Sequence, residues 1–333
     1  MTDSIVEVWR GAVVESRHRV HVAVVDAHGQ LRASAGDPAL VTYARSAVKP
    51  IQALPLVEDG VADRYEFTEQ ELALCCASHN GESRHVQTAR GILRKIGADE
   101  QALACGAQMP LGKAAARQLA KAGQQPGRIH NNCSGKHAGM LALARFYSWP
   151  LVGYHLAEHP VQQRMTTEMA RWSDMAVEDI ALGVDGCGVI TFAMPLERMA
   201  RAFAALAGGS RRGDAAPARI VHAMVENPEY VAGNERLCTD LMRVARGRIF
   251  AKVGAEGVYC AGIPGAELGI ALKVEDGATR ASEPALIAVL KSLALLTDEE
   301  VAQLERYVEP DITNTREERV GSVRASIELE PAG

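Results

Sequence analysis

The sequence predicts an α+β protein with one antiparallel sheet built from both ends of the chain and a helical lobe inserted between them. Two observations predict it. Val-rich alternation of apolar and polar residues fills the first 35 residues and returns after residue 249. Between these stretches the pattern is helical, with capping residues at the starts of the helices. No repeat or low-complexity segment breaks this order, so residues 1–333 read as one domain. The sheet is expected from about 1–45 and 249–333, and the helical lobe from about 46–248.

Strands are predicted over 5–14 and 18–25, separated by Glu15-Ser16-Arg17, with Asp26-Ala27-His28-Gly29 turning into a third strand over 30–35. Thr68-Glu69-Gln70-Glu71 is a capping box, and Phe67 and Leu72 stand where a hydrophobic staple would close. The helix it opens runs toward Cys75-Cys76 and delivers Ser78 at or just beyond its end. A helix fits 84–96 and stops at Gly97. Another opens at Cys133 or Ser134 and runs through Tyr147. Helix returns over 195–206, and Gly208–Ala215 is the most linker-like stretch, with Arg211-Arg212 on a solvated loop. Strands follow at 249–253, 258–261 and 268–274, then helices over 283–296 and 298–307, the second capped by Thr297-Asp298. A last strand fits 319–328.

Hydrophobic content of 47% against 23% charged residues is that of a folded globular chain and excludes disorder. A net charge of -5 with scattered Lys and Arg gives no footing for nucleic acid or an anionic membrane. Met1–Arg10 carries acidic residues and no apolar run, and no stretch has the length of a membrane-spanning helix. A cytoplasmic location is therefore expected. There, the seven cysteines are expected as thiols or metal ligands, not disulfides.

Chemistry concentrates first in Arg45-Ser46-Ala47-Val48-Lys49-Pro50. On a helix, residues i and i+3 share a face, so Ser46 and Lys49 form a nucleophile with a base one turn away. The serine needs that base because its hydroxyl is barely ionised at neutral pH. The lysine serves only when neutral, which burial or a neighbouring cation would bring about. The same residues also suit a helix cap followed by a first-turn lysine. Ser78-His79-Asn80 and Lys252-Val253-Gly254 follow in order. The three together resemble the Ser-x-x-Lys, Ser-x-Asn and Lys-x-Gly sets of the serine β-lactamase and penicillin-binding-protein fold. That arrangement would aim Lys252 at Ser78 and place two Ser–Lys pairs around one cavity, each lysine depressing the other's pKa.

A more specific resemblance lies in three segments. Cys76-Ala77-Ser78-His79-Asn80-Gly81-Glu82 with His85, Asn131 through Gly139, and Val184-Asp185-Gly186-Cys187 look like the signatures of the asparaginase II family, the third class of L-asparaginase. The likeness implies a β-lactamase-like fold, hydrolysis of L-asparagine to aspartate and ammonia, a homodimer, and zinc held by two cysteines and a lysine. Carried over by position, it makes Ser46 the nucleophile and Lys49 its base. Ser78 and Lys252 become a second pair relaying protons to the leaving ammonia. Cys133, Lys136 and Cys187 match the metal ligands. Asp185 is suited to the substrate α-ammonium, and Arg45 or His137 to its α-carboxylate. Ser83 and Ile190 stand where some relatives carry proline, which bears on loop shape.

Physical reasoning adds an oxyanion hole, from backbone N–H groups where Ser46 opens a helix and from one near Gly254. Zinc is expected to orient substrate or shape the 131–139 loop and not to generate the nucleophile, and no organic cofactor is expected. His79 and His85 read as hydrogen-bonding shapers of their loop, and Cys75, Cys76, Cys105, Cys238 and Cys260 as packing. Three alternatives stand beside this reading. A glutaminase differs by one methylene of substrate, worth about 1–3 kcal/mol of discrimination. A β-lactam hydrolase would need export, for which no signal is seen. A non-catalytic zinc or thiol sensor using Cys133 and Cys187 would release no ammonia.

Overall fold

The computed structural model describes residues 4–332. Its first two strands, β1 (Ile5–Arg10) and β2 (Val13–Asp26), form a hairpin that turns at Gly11-Ala12. The predicted break at Glu15-Ser16-Arg17 is absent. Gly11 has φ +57°, a left-handed conformation that glycine adopts without a Cβ clash, so the turn settles there. Arg17 and Ser16 continue the ladder against Glu7 and Val8, and Glu15 is the extra, unpaired residue of β2. A bulge between Val8 and Trp9 adjusts the register.

The remaining strands are β3 (Leu31–Ala35), β4 (Val41–Tyr43), β5 (Ala181–Val184), β6 (Ile190–Pro195), β7 (Phe250–Val253), β8 (Val258–Ile263), β9 (Leu268–Val274), β10 (Asp311–Thr313), β11 (Arg319–Ser326) and β12 (Glu330–Pro331). The large sheet runs β10-β11-β1-β2-β9-β8-β7, with β3 pairing both β2 and β12. All its pairings are antiparallel. Its strands come from both chain ends, giving the predicted α+β arrangement. The long β2 makes this work: its first half pairs with β1 and its second half with β9.

The stretch predicted as a helical lobe, 46–248, is not purely helical. β5 and β6 lie inside it and join β4 in a second sheet of order β4-β6-β5. β5, with four residues, is too short to show a period of two, and β6 is buried along nearly its whole length and so shows no alternation. The predicted linker at 208–215 is also corrected. Helix Leu196–Arg212 runs straight through Gly208 and Gly209 and ends at Gly213. A Cβ on Gly208 would come within 3.0 Å of Ala27, and one on Gly209 within 2.9 Å of Pro217, so these glycines permit close packing where they looked like a break. This helix lies on β2, β8 and β9, while Thr279–Ser292 packs against β1, β8, β9 and β11.

Helices Lys49–Glu58, Glu69–Cys75, Ser83–Lys95, Ser134–Phe146 and Pro160–Ser173 build the rest of the region that faces the site. The capping box at Thr68 forms, with the Thr68 N–H donating to Glu71 Oε2 at 2.8 Å and Glu71 N–H to Thr68 Oγ1 at 3.3 Å. One hydrophobic cluster joins sheet and helices, from Val22 and Val24 through Phe203 and Phe250 to Leu54, Leu72 and Leu141. Each such side chain contributes about 1.5–3 kcal/mol on full burial. All seven cysteines are free and buried. Among the described residues, no helix is long and apolar enough to cross a membrane.

Candidate active site

Beyond β4 the chain is fixed by the Ala44 N–H, which donates to Phe192 O on β6 at 2.9 Å. Arg45 then takes φ +51°, and a single 3-10 turn, Arg45–Val48, leads into helix Lys49–Glu58. Left-handed φ costs a non-glycine residue roughly 1–2 kcal/mol, so the surrounding contacts hold this corner. Pro50 sits in the first turn of the helix, where its missing N–H leaves no bond unmade.

Lys49 is fully buried, and its amine does not turn back to Ser46. It donates to Ala77 O at 2.6 Å, Ser78 Oγ at 3.0 Å and Cys133 Sγ at 3.1 Å. Ser46 is half-buried, and among the described residues its Oγ has no hydrogen-bond partner within the structure.

Ser78 follows helix Glu69–Cys75 by three residues, in an extended segment held from two sides. Its N–H donates to Val231 O at 3.0 Å, the Asn80 N–H to Ala232 O at 2.8 Å, and the His79 N–H to Asn132 O at 3.2 Å. The histidines shape this loop: His79 Nδ1 accepts from Gly81 N–H at 3.1 Å, and His85 Nδ1 from Glu82 N–H at 3.0 Å. Lys252, fully buried on β7, donates to Ser78 Oγ at 2.9 Å and to Val253 O at 2.8 Å. Ser78 Oγ therefore lies between two lysine amines. Burial, and then the charge of Lys49, bring Lys252 down to about 7, so its neutral form is present at neutral pH.

A second corner adjoins the first through Cys133. The start of helix Ser134–Phe146 comes close to the end of Glu69–Cys75 because Gly135 has no side chain. A Cβ there would lie 2.2 Å from Leu74 O. This approach buries Cys133 and Lys136 beside the hairpin turn between β5 and β6, which carries Asp185 and Cys187. Lys136 Nζ donates to Cys187 Sγ at 3.2 Å, and Cys187 Sγ lies 4.0 Å from Asp185 Oδ2. The Cys133 thiol and the Lys136 ammonium hold Cys187 down at about 5, against the opposing effect of burial. Cys187 and then burial push Cys133 up to about 12, and its Sγ donates to Asn132 Oδ1 at 2.9 Å. Asp185 Oδ1 receives Arg45 Nε at 2.7 Å and its neighbour's Gly186 N–H at 2.8 Å. Burial pushes Asp185 upward, but Lys136 and Arg45 outweigh it and keep the carboxylate ionised.

The L-asparaginase II family profile matches residues 6–325. The chain belongs to the L-asparaginase II family. Compared with curated proteins, it matches none. Membership in the family implies a hydrolase of amides with a small-molecule substrate.

Of the ten residues singled out in the sequence, eight fall into two adjoining groups. Lys49, Ser78 and Lys252 are linked by hydrogen bonds, Arg45 is linked to Asp185, and Lys136 to Cys187. Cys133 touches Lys49 and joins the groups. His137 is fully buried, bonded through Nδ1 to Tyr154 OH at 2.6 Å. Ser46 stands outside the hydrogen-bond network. The expected donor near Gly254 is already engaged, since the Gly254 N–H gives its bond to Val258 O at 2.8 Å. A cleft of about 380 Å³ lined by Gly81, Ser83, Arg90, Gln118 and His130 touches none of the ten. Convergent buried charge, not cavity size, marks the site.

The zinc that the sequence resemblance implies can be tested against these donors. Among the described residues no three of His, Cys, Asp and Glu converge on a metal position. Here the third donor would be a lysine. Lys136 Nζ meets Cys187 Sγ at 3.2 Å, and with the buried Cys133 the three residues would form a soft donor set that suits zinc. Burial draws Lys136 down, but Cys187, Cys133 and Asp185 outweigh it and raise it, so ligation would displace a proton from the amine.

Two residues with a place in the site went unread in the sequence. Arg236 donates to Asn80 Oδ1 at 2.9 Å and so backs the Ser78 loop. Tyr154 holds His137. Neither sits in a motif, and their partners lie 156 and 17 residues away along the chain.

Proposed function

We propose that the protein is an L-asparaginase that hydrolyses L-asparagine to L-aspartate and ammonia through a seryl acyl-enzyme. The observation that carries the reading is the convergence of Lys49 and Lys252 on Ser78 Oγ beside Ser46 and the Arg45–Asp185 pair. An amino acid is a zwitterion, and this pair offers its opposite: the Asp185 carboxylate for the α-ammonium and the Arg45 guanidinium for the α-carboxylate. Ser46 Oγ attacks the side-chain amide carbon and gives its proton to Lys49, which passes one of its own through Ser78 to neutral Lys252. The oxyanion is received by backbone N–H at the turn where Ser46 opens its helix. Collapse breaks the C–N bond, and the departing nitrogen takes a proton through Ser78, resupplied by Lys252 and Lys49. Water, deprotonated by the same base, then cleaves the ester and frees Ser46. A zinc ion on Cys133, Lys136 and Cys187 would supply Lewis-acid orientation of substrate donor atoms.

A second assignment has one observation in its favour. Ser78, not Ser46, carries both lysine hydrogen bonds. Against it, Ser78 is buried while Ser46 is partly open to an incoming substrate. Rapid quenching with asparagine followed by peptide mass analysis decides the matter. The aspartyl adduct is expected on Ser46, with Ser46→Ala abolishing it and turnover while the melting temperature stays near wild type. An adduct on Ser78, or more than a few per cent of the rate left in Ser46→Ala, overturns the assignment.

The reading extends to a serine β-lactamase-like fold forming one domain, a homodimer and a cytoplasmic location. Sedimentation checks the dimer. Ammonia release from asparagine, glutamine and a chromogenic β-lactam side by side separates the related enzymes. Absence of release from all three would favour a zinc or thiol sensor.

A further inference from the structure

His137 leaves one buried atom unaccounted for. Its ring is fully buried, Nδ1 lies 2.6 Å from Tyr154 OH, and Nε2 has no partner among the described residues. The tautomer follows from counting donors. Tyr154 OH already accepts the Ala104 N–H at 2.9 Å, and its own proton has one acceptor in reach, His137 Nδ1. With the ring proton on Nε2, the phenol donates to Nδ1 and a single polar group stays unpaired. With it on Nδ1, both the phenolic proton and the Nε2 lone pair go unpaired. An unpaired buried polar group is costly, so the first arrangement holds.

The phenol is itself fixed. Tyr154 is buried, and its backbone O accepts from Gln162 Nε2 at 2.8 Å. Its neighbour His155 brings another unpaired buried ring nitrogen, Nδ1, and packs near Gly188, next to Cys187. Among the described residues, two buried ring nitrogens are thus without a partner, one on the residue after Lys136 and one on a ring packed near the residue after Cys187.

We propose that Tyr154 is a positioning residue that locks His137 as an Nε2–H donor, and that this donor takes an acceptor oxygen of the substrate, a carboxylate or a carboxamide C=O. The inference rests on the amidohydrolase reading for its substrate and on the hydrogen-bond count for the lock. A ligand presenting an ammonium or an N–H at that point would meet donor against donor and be refused.

The test begins with nitrogen NMR of the wild-type histidine rings, with His137 assigned by its loss in His137→Gln. The lock predicts an Nε2–H ring and needs no other variant. Tyr154→Phe keeps the ring volume and should give mixed tautomers, raising KM for asparagine about tenfold with kcat little changed. In the His137→Gln background, Tyr154→Phe should add nothing further, because an amide side chain carries a donor whichever way the tyrosine is changed. A merely structural Tyr154 would instead lower activity equally in both backgrounds, which overturns the proposal. Ammonia release together with an Nδ1–H ring overturns the lock and leaves the amidohydrolase reading standing. An Nε2–H ring without release upholds the lock and overturns the substrate assignment with the reading beneath it.

Discussion

Two buried lysines, one in each of the adjoining corners of the site, meet opposite fates. Lys252 faces Ser78 Oγ and Val253 O, with Lys49 and Arg236 as charged neighbours, and comes down to about 7. Lys136 is drawn down by burial too, yet the sulfurs of Cys187 and Cys133 and the Asp185 carboxylate carry it the other way. Burial alone therefore does not decide the charge of an amine. The neighbours do: cations and neutral oxygens make a base, sulfurs and a carboxylate make a held cation or a ligand.

The strongest way to break this contrast is to remove each amine. Lys252→Met should lower kcat by about 10²–10⁴-fold, the range for loss of an acid–base group. It should also stabilise the fold, since a buried amine whose charging burial disfavours is replaced by a fitting apolar chain. Lys136→Met should do the reverse to stability, costing about 1–3 kcal/mol, because Cys187 and Asp185 lose their cation. Urea unfolding of both variants measures the signs, and equal signs would sink the contrast.

A smaller effect is expected at the sulfurs. Cys133→Ser and Cys187→Ser should behave alike, lowering bound zinc by metal analysis and raising KM several-fold while turnover remains measurable. Chelation of the wild type should act the same way. If metal-free protein with Ser46 intact were inert and zinc alone restored it, the serine mechanism would have to yield.

Folding stability gives a quieter test. The folded value of Lys252, about 7, lies below the ordinary lysine value of about 10.4. Between these pH values the unfolded chain holds a proton that the native chain lacks, so this residue makes stability rise with pH across that window. Lys252→Met should flatten that slope in pH-resolved unfolding. The activity limb should climb with pH through the same transition near 7. Smallest of all, Arg236→Gln removes a cation that depresses Lys252 and should move the limb up by roughly a few tenths of a unit. An unmoved limb would leave Arg236 as a loop anchor only.

What the sequence made legible was local or carried by motifs. The capping box at Thr68 formed because two side chains and two backbone donors three residues apart suffice for it. The helix after Cys133 and the strand at 268–274 stand where pattern put them. The pairing of Lys252 with Ser78 was readable from motif order, although 174 residues separate them. What pattern missed depends on distant partners. Gly208 and Gly209 look like a break until Ala27 and Pro217 are seen against them. The sheet of β4, β5 and β6 exists only once Val41–Tyr43 meets Ile190–Pro195. Spacing alone placed the Lys49 amine beside Ser46, yet burial offered it the Ala77 carbonyl, Ser78 and Cys133 instead.

A sheet stitched from both termini also sets a clock on the nascent chain. The inner half of β2 must wait for β9, some 240 residues downstream, before its ladder can close. Ser78 likewise waits 174 residues for Lys252. At about 5–20 residues per second of translation, that is roughly 10–35 s for the serine. During this time β2 offers open ladder groups to any chaperone or aggregation partner nearby. On the proposed mechanism, the same delay would keep a half-made chain from attacking amides, since the second lysine has yet to leave the ribosome.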